Sequence, residues 1–165
     1  MRKAEATVGS VVFFAFNPAM MGGLVPLLLT GWHSAHPPRA LEVAGTALIV
    51  LGAGVLLDTI ARFVFEGGGT PAPAAPTQEL VIGGPYRHVR NPMYLAVLAA
   101  ILGQALLLGR IVLLIYAGVF WLIVASFARF YEEPILSDSY GEQYAAYHRA
   151  VPGWLPRLRQ WSPEP

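Results

Sequence analysis

The sequence PMYLAVLAAILGQALLLGRIVLLIYAGVFWLIVASFARF, residues 92–130, decides the fold. It holds two apolar blocks, residues 92–108 and 111–130, which only Gly109 and Arg110 separate. A helix crosses a bilayer with about 20 predominantly apolar residues. Because lipid offers no hydrogen-bond partners, a backbone inside it must be helical. The stretch therefore predicts two transmembrane helices that form a tight antiparallel hairpin.

Two more apolar blocks precede this hairpin, at residues 8–30 and 41–65. The predicted fold class is all-α: a polytopic membrane protein with four transmembrane helices, in which residues 1–165 form a single domain. Asn17-Pro18, Gly22-Gly23 and Pro26 predict a kink in the first helix, or its division into two half-helices.

The composition agrees with a membrane protein. Hydrophobic residues make up 55% of the chain and charged residues 13%, whereas a soluble domain carries about 25% charged residues. The chain has no cysteine, which excludes disulfides, a thiolate nucleophile and cysteine metal sites. The spacing of His33 and His36 is weak evidence for a metal, so none is predicted. The net charge of +1 gives no indication of nucleic-acid binding.

The basic residues predict the topology, because cytoplasmic loops carry an excess of lysine and arginine. With the N-terminus inside, the cytoplasmic set is Arg2, Lys3, Arg62, Arg87, Arg90, Arg129, Arg149, Arg157 and Arg159. The outer set is Arg39 and Arg110. We therefore expect an integral protein of a prokaryotic cell membrane with both termini cytoplasmic. The loop at residues 66–91 and the tail at residues 131–165 then meet at the cytoplasmic face.

Two segments of this face have a distinctive composition. Residues 67–76 are almost entirely glycine, proline and alanine, which fits either a linker or a strap over a bound ligand. Residues 137–150 predict a short tail helix with Tyr140, Tyr144 and Tyr147 on one face. This tyrosine stripe is more typical of packing, or of a belt at the membrane interface, than of catalysis.

The segment from Gly84 to Tyr94 concentrates basic residues at the start of the third helix. Its sequence is GPYRHVRNPMY. Asn91 and Pro92 suit the N-cap and first turn of a helix, and Arg87, His88 and Arg90 obey the positive-inside rule without any further role. A functional interpretation is also open. A helix N-terminus attracts anions, so the arginines beside it would bind a carboxylate.

Glu132 and Glu133 are the acidic counterpart, at the end of the fourth apolar block. Acids at a helix C-terminus oppose the helix dipole, so two adjacent ones need partners. The candidates are Arg87, Arg90, Arg129, or the ammonium or sulfonium group of a ligand. A basic and an acidic cluster at one membrane face predict a site for a zwitterion, such as an amino-acid-like cofactor.

Asp58 and Arg62 lie one turn apart near the cytoplasmic end of the second apolar block. Ionisable residues within a span usually face the protein interior or a wet cavity. The two form either a self-compensating pair, with Arg62 extending toward water, or a substrate-facing site at Asp58. Asn17 and Gln104 are explained by hydrogen bonds between helices.

The order of motifs resembles a known family. It runs Gly-Pro-Tyr-Arg-x-x-Arg-Asn-Pro-x-Tyr, an apolar hairpin, Glu-Glu-Pro-x-Leu, Tyr-Gly-x-x-Tyr-x-x-Tyr and Val-Pro-x-Trp-x-Pro. This pattern, over residues 67–156, resembles the isoprenylcysteine carboxyl methyltransferases and the related phospholipid methyltransferases. Those are integral membrane enzymes that use S-adenosylmethionine. The resemblance implies a lipophilic or membrane-embedded acceptor, either a prenylcysteine-type carboxylate or a phospholipid amine, and no nucleic acid. No oligomeric state is indicated.

The resemblance also implies roles for individual residues. The cofactor-binding residues it implies are Tyr86, His88, Arg90, Asn91, Met93, Tyr94, Gly103, Glu132 and Glu133. The catalytic residues predicted from the chemistry of methyl transfer, and not from the resemblance, are Arg129, Glu133 and Asp58. Asn91 stands where the family motif Arg-His-Pro-x-Tyr has histidine, and an asparagine cannot carry a proton. Gly103 matches a glycine that permits close approach of the cofactor or of a helix. The alternative to an enzyme is a membrane scaffold or subunit that retains the fold.

Overall fold

The computed structural model describes residues 17–66 and 79–162, apart from the side chains of Phe63 and Val64. Three predictions fall partly or wholly outside the described residues. These are the first half of the span at residues 8–30, the strap or linker at residues 67–76, and the positions of Arg2 and Lys3.

The described residues are helical and contain no β-strand, which confirms the all-α class. The helices are α1 (Asn17–Thr30), α2 (Arg39–Phe65), α3 (Pro92–Leu108), α4 (Ile111–Phe127) and α5 (Glu133–Ala150). A 3₁₀ turn, Gly84–Arg87, precedes α3, and a π-helical turn, Ala128–Glu132, joins α4 to α5. Gly109 and Arg110 alone separate α3 from α4, as predicted.

Two of the described helices are long and apolar enough to cross a membrane, by length and composition. They are Arg39–Arg62 and the continuous segment Ile111–Ala150. In the second segment the apolar part is α4, since charged side chains begin at Arg129. Asn17–Thr30 and Pro92–Leu108 are shorter apolar helices. The full set of four spans stays a prediction.

By its contacts the chain forms two compact units. Among the described residues, the apolar unit consists of residues 17–56 and 93–125, and the polar unit of residues 57–66, 79–92 and 126–162. Each is described by itself below. The prediction of a single membrane domain remains a prediction.

In the apolar unit, the irregularity expected in α1 takes the form of a π-helical turn at Met20–Leu24. Proline has no N–H group, so Pro26 cannot donate to the carbonyl of Gly22 four residues earlier. Gln104 supplies the missing donor: its Nε2 lies 2.6 Å from the Gly22 oxygen. Gln104 therefore forms the hydrogen bond between helices that the sequence predicted.

Helices α2 and α3 approach closely at glycines. A Cβ atom on Gly45 would lie 2.5 Å from the carbonyl oxygen of Gly103, and one on Gly103 would lie 2.7 Å from the oxygen of Gly45. A Cβ atom on Gly52 would likewise lie 2.7 Å from the carbonyl oxygen of Ala96. Small residues let backbones approach in this manner in membrane proteins. Gly103 thus serves the packing of two helices.

We expect Gly103→Ala to destabilise the protein by about 1–3 kcal/mol, because an added methyl group in a filled space forces the backbones apart. Gly54→Ala is the matched control, since nothing lies within 4 Å of a Cβ placed there. It should be neutral or slightly stabilising. The measurement is the thermal unfolding midpoint in detergent. Equal midpoints for the two variants would contradict the close contact.

In the polar unit, helical backbone continues beyond the predicted end at residue 130 and passes through the π-helical turn into α5. The predicted separate helix at residues 137–150 therefore differs from the structure. Pro134 permits this continuation because the first turn of a helix needs no N–H from proline. The break comes instead at Gly141, with φ 50° and ψ −124°.

The chain reverses direction at Gly141. In a straight helix Glu133 and His148 would stand about 22 Å apart along the axis, yet the Nε2 atom of His148 lies 3.5 Å from a Glu133 oxygen. We call residues 133–150 the tail hairpin. Its two arms pack through Leu136, Tyr140, Tyr144 and Tyr147, so the tyrosine stripe serves packing, as predicted.

Candidate functional site

The loop that carries the basic residues is held by the tail of the chain. The Arg90 N–H donates to the Pro152 carbonyl at 2.9 Å, and the Arg157 N–H donates to the His88 carbonyl at 2.9 Å. The Asn91 side-chain amide donates to the Gly153 carbonyl at 3.1 Å. Asn91, which stands where the family motif has histidine, thus acts as a hydrogen-bond donor. The start of α3 is fixed by these bonds.

Tyrosines form one wall of the site. Tyr86 and Tyr147 are buried, and the Tyr147 hydroxyl donates to the Tyr86 carbonyl oxygen at 2.7 Å. Burial raises the pKa of both phenols well above its usual value, so both stay neutral. Tyr144 is also buried, and the three tyrosines form one wall of the site.

Glu133 is the centre of an ion cluster. Its carboxylate lies 2.9 Å from Arg90 Nη1, 2.7 Å from Arg129 Nη1 and 3.5 Å from His148 Nε2. Burial by itself would raise the pKa of Glu133, but the hydrogen bond from Arg129 and the charges of Arg90 and His148 outweigh it and hold the pKa below its usual value. Glu133 is therefore ionised and shared among three basic side chains.

We call residues 84–91, which precede α3, the basic loop. A cavity of about 80 Å³ lies between the basic loop and the tail hairpin, within the polar unit. The lining residues are Leu80, Val81, Tyr86, Arg90, Asn91, Ala128, Glu132, Glu133, Leu136, Tyr144 and Tyr147. Five residues with predicted roles meet here: Tyr86, Arg90, Asn91, Glu132 and Glu133. The Arg90 Nε atom is buried and has no hydrogen-bond partner among the described residues. Arg90 thus lines the cavity together with two carboxylates.

The other predicted site residues lie elsewhere. Arg129 contacts Glu133 from outside the cavity, with 68% of its side chain exposed. The His88 Nδ1 atom lies 2.7 Å from the Arg157 carbonyl oxygen. Because a carbonyl oxygen can only accept a hydrogen bond, Nδ1 carries the proton. Nε2 is then the only ring nitrogen that can accept a proton from a substrate. Met93, Tyr94 and Gly103 belong to the apolar unit.

Asp58 forms an ion pair within its own helix. Its carboxylate accepts a hydrogen bond from Arg62 Nε at 3.1 Å. Arg62 also pairs with Glu66, at 2.5 Å. This is the self-compensating arrangement that the spacing allowed. Asp58 does not line the cavity.

Sequence reasoning missed His148 as a member of the ion cluster, and Tyr144 and Tyr147 as walls of the cavity. Their contacts depend on the reversal at Gly141. A glycine inside a helical pattern is ordinarily tolerated, so Gly141 gave little warning of a turn.

A comparison with known families shows to which family the chain belongs. The profile described as phospholipid methyltransferase matches residues 41–143, more than half of the 165 residues. The chain belongs to the phospholipid methyltransferase family. This confirms the resemblance drawn from the motifs. No curated protein matches the chain.

The residues that match the phospholipid methyltransferase family include the basic loop, Glu132 and Glu133. The match ends before Tyr144, Tyr147 and His148. The kinship, together with two helices apolar enough to cross a membrane, indicates a membrane-integrated protein of a methyltransferase family.

Proposed function

We propose that the chain is an S-adenosylmethionine-dependent methyltransferase that acts on a lipophilic or membrane-embedded acceptor. The observation that carries this proposal is the buried, unpartnered Nε of Arg90 in a cavity that Glu132 and Glu133 also line. The cavity offers a donor for a carboxylate and an acceptor for an ammonium group, the two charges of a methionyl moiety.

The cofactor fits these residues in chemistry. Arg90 would hold the carboxylate through Nε, while Glu133 supports the same guanidinium from its Nη1 side. We assign the ammonium to Glu132, which lines the cavity together with Arg90. We assign Glu133 to the positioning of Arg90. A volume of about 80 Å³ suits the amino-acid end alone, since pockets for whole drug-sized ligands measure about 300–1,000 Å³.

S-adenosylmethionine supplies a methyl group on a sulfonium, which is its own leaving group. The work of the chain is therefore to bind, orient and exclude water. Well-oriented reactants gain about 7–11 kcal/mol over free ones, and the bonds that fix Arg90 and Asn91 to the tail provide a rigid base for that orientation.

The acceptor determines which further groups are needed. Arg129, largely exposed beside the site, would orient a carboxylate acceptor. An amine acceptor must lose a proton to a base, and Asp58, Glu132 and the free Nε2 of His88 are the candidates. Both acceptor classes are lipophilic, in accordance with a family of membrane methyltransferases.

The proposal includes a membrane arrangement. Four spans at residues 8–30, 41–65, 92–108 and 111–130, with both termini cytoplasmic, would put the site on the side where the cofactor is available. The excess of basic residues on that side supports this orientation, and we propose the cell membrane of a prokaryote as the location.

The test is calorimetric titration of the purified, detergent-solubilised protein with S-adenosylhomocysteine. We expect saturable binding with one ligand per chain. The same preparation should then transfer labelled methyl groups to a lipid extract. Absence of binding in a folded sample would favour the alternative, a scaffold that retains the fold. In a scaffold, Glu133 would serve only to hold Arg90, Arg129 and His148 in place. Its pairing with these three side chains is the observation that supports this alternative.

A further inference from the structure

A second recess shares Glu133 and Tyr144 with the cavity as lining residues. It is an open groove of about 400 Å³, formed by the π-helical turn and the two arms of the tail hairpin. The residues that line it are Arg129, Glu133, Pro134, Ser137, Tyr144, Ala145, His148 and Arg149. We call this space the basic groove, and its lining includes Arg129 and Glu133, to which the proposed function also gives roles.

The basic groove has an excess of positive charge. Arg129, His148 and Arg149 line it, and the only carboxylate among its lining residues is Glu133. That carboxylate is already shared with Arg90, on the cavity side. Asp138 and Glu142, the other acids of the tail hairpin, do not line the groove. One anion would therefore compensate charge that the protein itself leaves unbalanced.

Arg149 is the lining cation with the most freedom to bind a ligand. It is exposed and forms no ion pair with any described residue. An arginine presents a planar fork of donors that matches phosphate oxygens. The Ser137 hydroxyl adds a neutral donor on the same surface.

The position of the groove suits a lipid phosphate. Arg129 follows the apolar helix α4 by two residues, a rise of about 3 Å, and the phosphate layer lies directly beyond the hydrocarbon core. Phe130 and Tyr131, next to Arg129, are exposed. Tyrosine is enriched at the membrane interface, which fits the exposure of Tyr131.

We propose that the basic groove binds a phosphate group through Arg149, Arg129 and His148, and that this group is carried by an anionic lipid. Because Arg129 and His148 also pair with Glu133, an anion in the groove draws them away from it. Glu133 then pairs with Arg90 alone. Occupancy of the groove is thereby coupled to the guanidinium that faces the cavity.

The test uses the full chain in neutral detergent and three calorimetric titrants: dihexanoyl phosphatidic acid, dihexanoyl phosphatidylcholine and inorganic phosphate. We expect saturable binding of phosphatidic acid that Arg149→Gln weakens about tenfold, the effect of one charge-assisted contact. Arg159→Gln, which removes an exposed arginine outside the groove, should change it less than twofold. Phosphatidylcholine should bind at least tenfold more weakly than phosphatidic acid.

The outcomes separate the sources of the phosphate. Phosphatidic acid binding at least tenfold tighter than inorganic phosphate supports a lipid ligand, and equal affinities support a soluble phosphate in the same site. Binding that is absent, or that Arg149→Gln and Arg159→Gln weaken equally, overturns the proposal. Since Arg149 does not line the cavity, Arg149→Gln should leave the midpoint of thermal unfolding unchanged, which shows that the variant is folded.

Discussion

Replacing Arg90 with alanine should weaken S-adenosylhomocysteine binding about a hundredfold. The substitution removes the buried Nε donor of the cavity and the charge that faces the ligand carboxylate. Losing a buried charged partner of this kind costs about 2–5 kcal/mol, and each 1.4 kcal/mol is a tenfold change. Calorimetric titration of the solubilised variant measures the effect.

Two further variants make this result specific. Arg87→Ala removes a neighbouring arginine of the same loop that does not line the cavity, so its affinity should stay within threefold of the wild type. Arg90→Lys keeps the charge but loses the planar fork, and we expect an intermediate affinity. A folded Arg90→Ala protein with wild-type affinity would remove Arg90 from the site.

The second large effect concerns the acidic pair, whose members should differ. Glu133→Gln leaves the mostly buried Arg90, whose side chain is 14% exposed, without its carboxylate. We expect a loss of about 3 kcal/mol of stability, typical of a broken buried ion pair. Glu132→Gln should weaken S-adenosylhomocysteine binding about tenfold. Thermal unfolding and calorimetry on both variants measure the two effects.

The pH dependence provides a check on Glu133. Its pKa is lower in the folded protein than its usual value of 4.5, so its contribution to stability is present above about pH 4.5 and is lost as the pH falls through the lower, folded value. The difference in midpoint between wild type and Glu133→Gln should therefore be constant from pH 7 to about pH 5 and shrink in stronger acid. A difference that persists below pH 3 would assign the loss to packing instead.

The helix bounds could be predicted from the sequence where an apolar segment begins or ends at residues that favour helix termini. Asn91-Pro92 and Gly109-Arg110 bound α3 as predicted, and α2 begins two residues before its predicted start. The end of the fourth helix could not be predicted in this way, because apolarity stops near residue 130 while the helical backbone continues. Backbone hydrogen bonds require no apolar side chains once the helix has left the lipid.

The candidate site was predictable to the level of its two clusters. Arg90 and Glu133 were expected at one face, and they form an ion pair at 2.9 Å. His148, the third partner of Glu133, was not expected there. If residues 137–150 formed one straight helix, as predicted, His148 would lie far from Glu133. Its contact follows from the left-handed backbone of a single residue, Gly141, and side-chain pattern carries no information on that angle.

The bonds between the basic loop and the tail also bear on how the protein is made. Asn91 depends on a carbonyl 62 positions further along the chain, at Gly153. During translation the loop therefore leaves the ribosome well before its partner. Until residues 152–161 emerge, Arg90 and Asn91 lack the bonds that orient them. The order of the loop before α3 is thus completed only when the C-terminal segment has been synthesised, and a truncation before residue 152 should leave Arg90 and Asn91 without these bonds.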